Sequence, residues 1–208
     1  VCSSDLPRSD QFPRDSSGSR QGAKICARDT EGDALSNARN GLASIYREQG
    51  NLPAAITQME KALTYYRQSP GTHERRLGVT LGNLGLMYLE MGDNDVAGQY
   101  LTECLQVIER NLGPKSANLS DCLFGMSEIS ARAGKLLQQQ TYAERAAPIA
   151  EASFPGDHIW RARALYALGK ARLDAGQAEE GEALLQQAID THPQYFEAAA
   201  RSLAALDA

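Results

Sequence analysis

At 208 residues, 42% of them hydrophobic and 23% charged, the chain has the length and balance of one water-soluble globular domain. Its net charge of −5 argues against a general nucleic-acid-binding surface. No apolar run approaches the roughly 18 residues that a membrane span needs, so neither nucleic acid nor a spanning segment is expected.

Residues 1–22 are rich in Ser, Asp, Arg and Pro, with Val1, Leu6 and Phe12 as the large apolar residues. Such a segment buries too little surface to offset its ordering entropy and is expected to be disordered. Its opening Val-Cys-Ser-Ser-Asp-Leu is similar to one reading frame of a common sequencing adapter, so it is set aside from fold reasoning as a non-native stretch. The start lacks an initiator Met, and further sequence upstream is expected. Residues 23–32 read as a linker or a frayed partial helix.

From Asp33 onward helices are predicted in pairs: 33–49 with 53–68, 74–91 with 94–111, 116–133 with 135–151, and 158–175 with 178–190. Leu81, Leu84, Gly85 and Tyr88 share one face at i, i+3, i+4, i+7. Gly92 ends that helix, and Asp93, Asn94 and Asp95 offer oxygens to the first free N–H groups of the next. Ala97, Leu101, Cys104, Leu105 and Ile108 stripe the partner helix. Pro53 suits a first helical turn. Pro148, late in its helix, is expected to kink or shorten it. Pro193 opens a last helix to Leu206, whose Phe196, Leu203 and Leu206 would cover the open end of a stack.

Gly50, Gly92, Gly134 and Gly176 stand 42 residues apart (92−50, 134−92, 176−134). Leu42, Leu84, Met126 and Leu168 keep the same stride, as do Ala62, Cys104, Ala146 and Ala188. A fixed period of this size marks stacked repeats, each of which buries its apolar face only against a neighbour. In the third copy Ser130 stands where the first two have tyrosine, and Gln139 where others have a small residue. The small residues are expected where helix axes approach closely.

The order Leu84-Gly85, Tyr88, Gly92-Asp93, Ala97, Leu101 resembles the tetratricopeptide repeat (TPR), as do Leu42, Tyr46, Gly50-Asn51, Ala55, Ala62-Leu63 and Leu168-Gly169, Gly176, Leu185, Ala188-Ile189, Pro193. The usual unit is about 34 residues. The longer period, with Leu112-Gly113-Pro114 and Pro155-Gly156-Asp157-His158 between copies, is similar to the kinesin-light-chain-type subgroup, which also occurs in bacterial multidomain proteins. The resemblance implies an all-α, right-handed superhelical solenoid of helix-turn-helix repeats, with breaks near 73/74, 115/116 and 157/158, repeats ending at 192 and a capping helix over 193–206.

Residues able to carry chemistry are scattered. Cys2, Cys26, Cys104 and Cys122 make no close zinc-type pair. Cys104, at an alanine position, reads as a buried thiol, with a Cys104–Cys122 disulfide as the open alternative. His73, His158 and His192 each stand alone in a loop, where helix-start roles are expected rather than metal binding or base catalysis. With no phosphate loop and no catalytic constellation, no enzyme activity, cofactor or metal is expected.

What is left is a surface. The resemblance implies that the first helices line a concave groove for a partner's peptide or helical segment. By matching position the groove presents Asn40, Ser44 and Arg47; then Asn83, Leu86 and Glu90; then Phe124, Glu128 and Arg132; then Arg163, Tyr166 and Lys170. Phe124 and Tyr166 are the leading anchors, since hot spots favour aromatics. The carboxylate clamp of chaperone-binding members matches at Asn83 alone, and Asp121 has the wrong sign for an anion, so that clamp is expected to be absent. The expected role is a cytoplasmic protein-interaction scaffold, with homo-oligomerisation through end repeats open. The alternative is a regulatory or substrate-recruiting part of a larger enzyme, such as a bacterial serine/threonine kinase, or of a transcription regulator.

Overall fold

The computed structural model describes residues 16–68 and 72–193, with side chains from residue 31 onward. The expected capping helix, with Phe196, Leu203 and Leu206, lies outside the described residues, as do residues 1–15. Among the described residues there are eight α-helices and no strand: α1 (Ser16–Glu48), α2 (Leu52–Gln68), α3 (Glu74–Met91), α4 (Asn94–Leu112), α5 (Ser120–Arg132), α6 (Leu136–Ser153), α7 (Ile159–Asp174) and α8 (Ala178–Thr191). A 3-10 turn, Ala117–Leu119, leads into α5.

The glycine stride has a backbone cause. Gly50, Gly92, Gly134 and Gly176 have φ of 75°, 87°, 66° and 79°, in the left-handed region that a side chain disfavours. Each closes a helix in the same way. The glycine N–H donates to the carbonyl three residues back (Gly92 to Leu89, 3.1 Å), and the next N–H donates to the one five back (Asp93 to Tyr88, 2.9 Å). The same two bonds recur at Gly50/Asn51, Gly134/Lys135 and Gly176/Gln177. The following helix is capped in two of the four copies, where Asn51 Oδ1 accepts from the Ala54 N–H and Asp93 Oδ1 from the Val96 N–H. Lys135 and Gln177 make no such bond.

The chain divides into two compact units, Val1–Tyr65 and Tyr66–Ala208. In the first, Ala43 of α1 and Ala55, Met59 and Ala62 of α2 are buried, and Gly32 leaves room for the Tyr65 ring. Helix α1 begins at Ser16 and runs unbroken to Glu48, so residues 16–22, expected as disordered, are helical, and the helical alternative for 23–32 is the one found. Extending an existing helix fixes one residue per added hydrogen bond, and Arg20, Ala23, Lys24, Ala27 and Arg28 are good formers.

In the second unit α3 pairs with α4, α5 with α6, and α7 with α8, while α5 also packs on α3, α4 and α7. This is an all-α repeat solenoid. Leu101 of α4 is fully buried and fills the space that Gly85 and Gly125 leave. A Cβ on Gly85 would stand 2.5 Å from Leu101 Cγ, and one on Gly125 2.6 Å from its Cδ1. Pro148 does not shorten α6, which continues to Ser153; buried Ile149 and Ala150 hold the turn beyond the missing N–H. Gln139 is also buried; its side-chain Nε2 donates to Asp174 Oδ2 at 2.7 Å, and its backbone carbonyl accepts from the Ser127 hydroxyl.

The reading of Cys104 as a free thiol is corrected. Cys104 of α4 and Cys122 of α5 form a disulfide across 6.3 Å between Cα atoms, within the ordinary range. Gly82 of α3 lies close beside the bond: a Cβ there would lie 3.3 Å from Cys104 Sγ and 3.7 Å from Cys122 Sγ.

Candidate functional site

Helices α3, α5 and α7 are the first members of their pairs, and α5 lies against both of the others. Their common face gathers most of the residues singled out from the sequence. Leu86 is buried and packs with Leu89 and Ala97 against Phe124, Ile129 and Trp160. The Arg163 guanidinium lies 4.5 Å from the Trp160 ring centroid and 5.4 Å from that of Phe124. Such an arrangement draws the cation to the negative faces of both rings. Arg163 is only 8% exposed, so it forms part of the floor instead of reaching outward.

Further along the same helices, Lys170 Nζ lies 3.4 Å from Glu128 Oε2, joining residues 42 apart on α7 and α5. Arg132 donates to the Leu89 carbonyl (3.0 Å) and to Asn94 Oδ1 (3.2 Å), tying the end of α5 to the α3–α4 turn. Tyr166 is half-buried, and its phenol is pushed up to about 12, first by burial and then by the Glu128 and Asp174 carboxylates, which disfavour tyrosinate. The face thus runs from an aromatic–cation stack to a charge-balanced polar strip.

Asn83 of α3 is half-buried. Phe124, Glu128, Tyr166 and Lys170 are likewise half-buried, whereas Leu86 and Arg163 are packed in. Asn40 and Arg47 are half-buried on α1, in the first unit. Trp160 was not singled out from the sequence, although it precedes Arg163 by three residues, the spacing of one helical face. Its stride partners Asn118 and Arg76 are polar and sit at helix starts, so the register gave no reason to expect an aromatic there.

The histidines act locally. His158 Nδ1 accepts from the Trp160 N–H at 3.2 Å, capping α7, and its ring stacks on Phe154 at 4.5 Å. Among the described residues no cluster of His, Cys, Asp and Glu is arranged to hold a metal, and no helix is long and apolar enough to cross a membrane.

Stacked helix pairs with a glycine closure every 42 residues define a helical-repeat protein whose working parts are surfaces. Profiles of the tetratricopeptide repeat match residues 33–106, 76–152 and 163–195. The chain belongs to the tetratricopeptide-repeat family. No curated protein sequence matches it. Among solved structures it is similar to BtubC (BKLC) from P. vanneervenii, with a TM-score of 0.64 and 21% identity over 77% of this chain. The chain spans 64% of the length of that protein. It is also similar to a kinesin light chain of nearly identical TPR-like repeats from Podosopora anserina (TM-score 0.63, 16% identity, 76% of this chain and 74% of that one). A third is MamA from Desulfovibrio magneticus RS-1 (TM-score 0.53, 16% identity, 76% of each chain). At these identities the likeness is one of fold. The family makes the chain a protein-interaction scaffold in the general sense, on a fold that is typically non-catalytic.

Proposed function

We propose that the face shared by α3, α5 and α7 is a concave groove in which an extended or helical segment of a partner protein binds. The observation that carries this reading is the Trp160–Arg163–Phe124 stack. It holds Phe124 rigidly while leaving it half-exposed, the condition for an aromatic anchor that loses little entropy on binding. Asn83, Glu128, Tyr166 and Lys170 form the polar rim beside it, and Asn40 and Arg47 are the first repeat's candidates by matching position in the sequence. The same reading takes residues 33–208 as one array of four repeats and a cap, working in the cytoplasm without enzymatic activity or nucleic acid.

The test is capture of interacting proteins by the full chain and by Phe124→Ala and Tyr166→Phe,Lys170→Glu variants, with melting temperatures measured alongside. A true groove partner loses about thirtyfold in affinity with Phe124→Ala, the cost of a hot-spot residue. Unchanged capture of every partner by both folded variants would sink the assignment.

A further inference from the structure

A second site lies between α6, α7 and α8, and it shares no lining residue with the groove face. A cavity of about 590 Å³ opens there over a floor of Ala147, Ala164, Leu165, Leu168 and Leu184. Its volume is in the range of ligand pockets. Glu151, Arg161, Gln187 and Asp190 stand around it.

The 42-residue register explains why it exists. The positions of Ala147, Ala164 and Arg161 are held one repeat earlier by Leu105, Cys122 and Leu119. Leu119 is fully buried, and Cys122 is bonded to Cys104. Two larger apolar groups, Leu105 and Cys122, thus stand one repeat earlier where the last junction has alanines, and apolar Leu119 stands where it has an arginine. Arg161 turns outward, with Nη2 3.7 Å from Glu151 Oε1 and Nη1 3.4 Å from the Glu151 carbonyl.

The register also says which charge is missing. An ion pair spans successive second helices 36 residues apart: Arg67 with Glu103, then Glu109 with Arg145, both at 2.5 Å. The next pair in the series is Glu151 and Gln187. The acid is kept and the arginine is replaced by a neutral amide. Glu151 is 74% exposed at its side chain, and its contact with Arg161 is long. Asp190 adds a second carboxylate to the rim.

We infer that this cavity receives an arginine and a neighbouring aliphatic side chain from a protein partner. The arginine would take the place that Arg145 holds beside Glu109, and the aliphatic group the space that Leu105 and Leu119 fill one repeat earlier. Charge complementarity and the vacated apolar volume select the same occupant.

The probe is a blocked helical peptide with leucine and arginine on one face, titrated into the full chain while backbone amide NMR signals are followed. A control peptide carries glutamate in place of the arginine. The expected result is saturable shifts at α6, α7 and α8 around Glu151 and Gln187 with the arginine peptide only. Glu151→Gln weakens it about fivefold, the worth of one exposed ion pair. The double change Ala147→Leu,Arg161→Leu, which refills the cavity from the preceding repeat, abolishes binding while the melting temperature does not fall. Phe124→Ala leaves it unchanged, which separates this site from the groove. Equal binding of the glutamate peptide, binding by the refilled variant, or no saturable shift at millimolar peptide overturns the proposal. So does binding seen only after residues 194–208 are removed, because the chain's own end would then be the occupant.

Discussion

The junction where α4 meets α5 and the one where α6 meets α7 and α8 are built on the same register with different fillings. In the first, Leu101, Cys104, Ile108, Leu119 and Cys122 are all fully buried, and a disulfide crosses between helices. In the second the buried apolar residues are mostly alanines, Ala143, Ala146, Ala150, Ala162, Ala164 and Ala167, with Ile149 and Leu185 as the larger ones. In both, the first helix of the pair, α5 or α7, ends on the same left-handed glycine, Gly134 or Gly176. The backbone plan is therefore separable from the packing that stabilises it: the closures set where helices turn, and side-chain volume sets how tightly neighbours hold. One junction has the marks of a structural joint, the other of a place with room to spare.

The largest expected effect comes from truncating equivalent leucines at the two junctions. Leu101 and Leu185 stand two strides apart, and each is packed against a glycine of the facing helix. Leu101 alone is held by two, Gly85 and Gly125. Leu101→Ala is expected to cost about 4–5 kcal/mol and Leu185→Ala about 2–3 kcal/mol, the two ends of the range for buried leucines. Chemical denaturation of both variants checks this. Equal losses would break the contrast between the junctions.

Next in size is the disulfide. Its closed loop spans 18 residues, for which the chain-entropy argument gives about 3 kcal/mol. Peptide mapping by mass spectrometry should recover Cys104 and Cys122 as one cross-linked species. Cys122→Ser should lower stability by about that amount and make it indifferent to added reductant. If the wild type is equally indifferent, the two sulfurs are not joined and the first junction rests on packing alone.

These contrasts separate what the sequence disclosed from what it withheld. Gly50, Gly92, Gly134 and Gly176 were legible because a left-handed closure has almost one residue solution, so the constraint writes itself into every copy. The paired helices and Gly85, one of the two glycines facing Leu101, followed from periodicity for the same reason. Residues 16–22, expected as disorder, are helical because helix extension from an established neighbour is cheap, and local composition does not reveal the neighbour. The Cys104–Cys122 bond depends on how α4 and α5 are set against each other, a relation between helices that no spacing rule encodes. Trp160 and the cavity are departures from the repeat. Matching positions across copies finds what is shared, and so passes over what one copy does alone.

A smaller effect probes the polar strip of α5 and α7. Tyr166 is held protonated to about 12, above its ordinary 10. The folded state therefore binds its proton more tightly than the unfolded state does. Its contribution is complete below pH 10 and is lost as pH rises from about 10 to 12, where the unfolded chain has already released the proton. Denaturation midpoints measured across that window should fall less steeply for Tyr166→Phe than for wild type. Tyrosinate absorbance should show one fewer late-titrating group in the variant. Parallel profiles would mean that Glu128 and Asp174 do not face the phenol as described.

The smallest effect tests the register itself. Arg145→Gln turns the α4–α6 ion pair into a copy of the Glu151–Gln187 pairing, and Gln187→Arg does the reverse at the last junction. Glu109 and Arg145 are both about one-third exposed, so water screens them and each change should alter stability by at most about 1 kcal/mol. The signs are expected to differ: loss with Arg145→Gln, and a slight gain or no change with Gln187→Arg, since the new guanidinium must compete with Arg161 for Glu151. A double-mutant cycle over Glu109 and Arg145 isolates the pair from other effects. Zero coupling there would remove the ion-pair series as a guide to the last junction, leaving the three smaller or redirected residues as its remaining explanation.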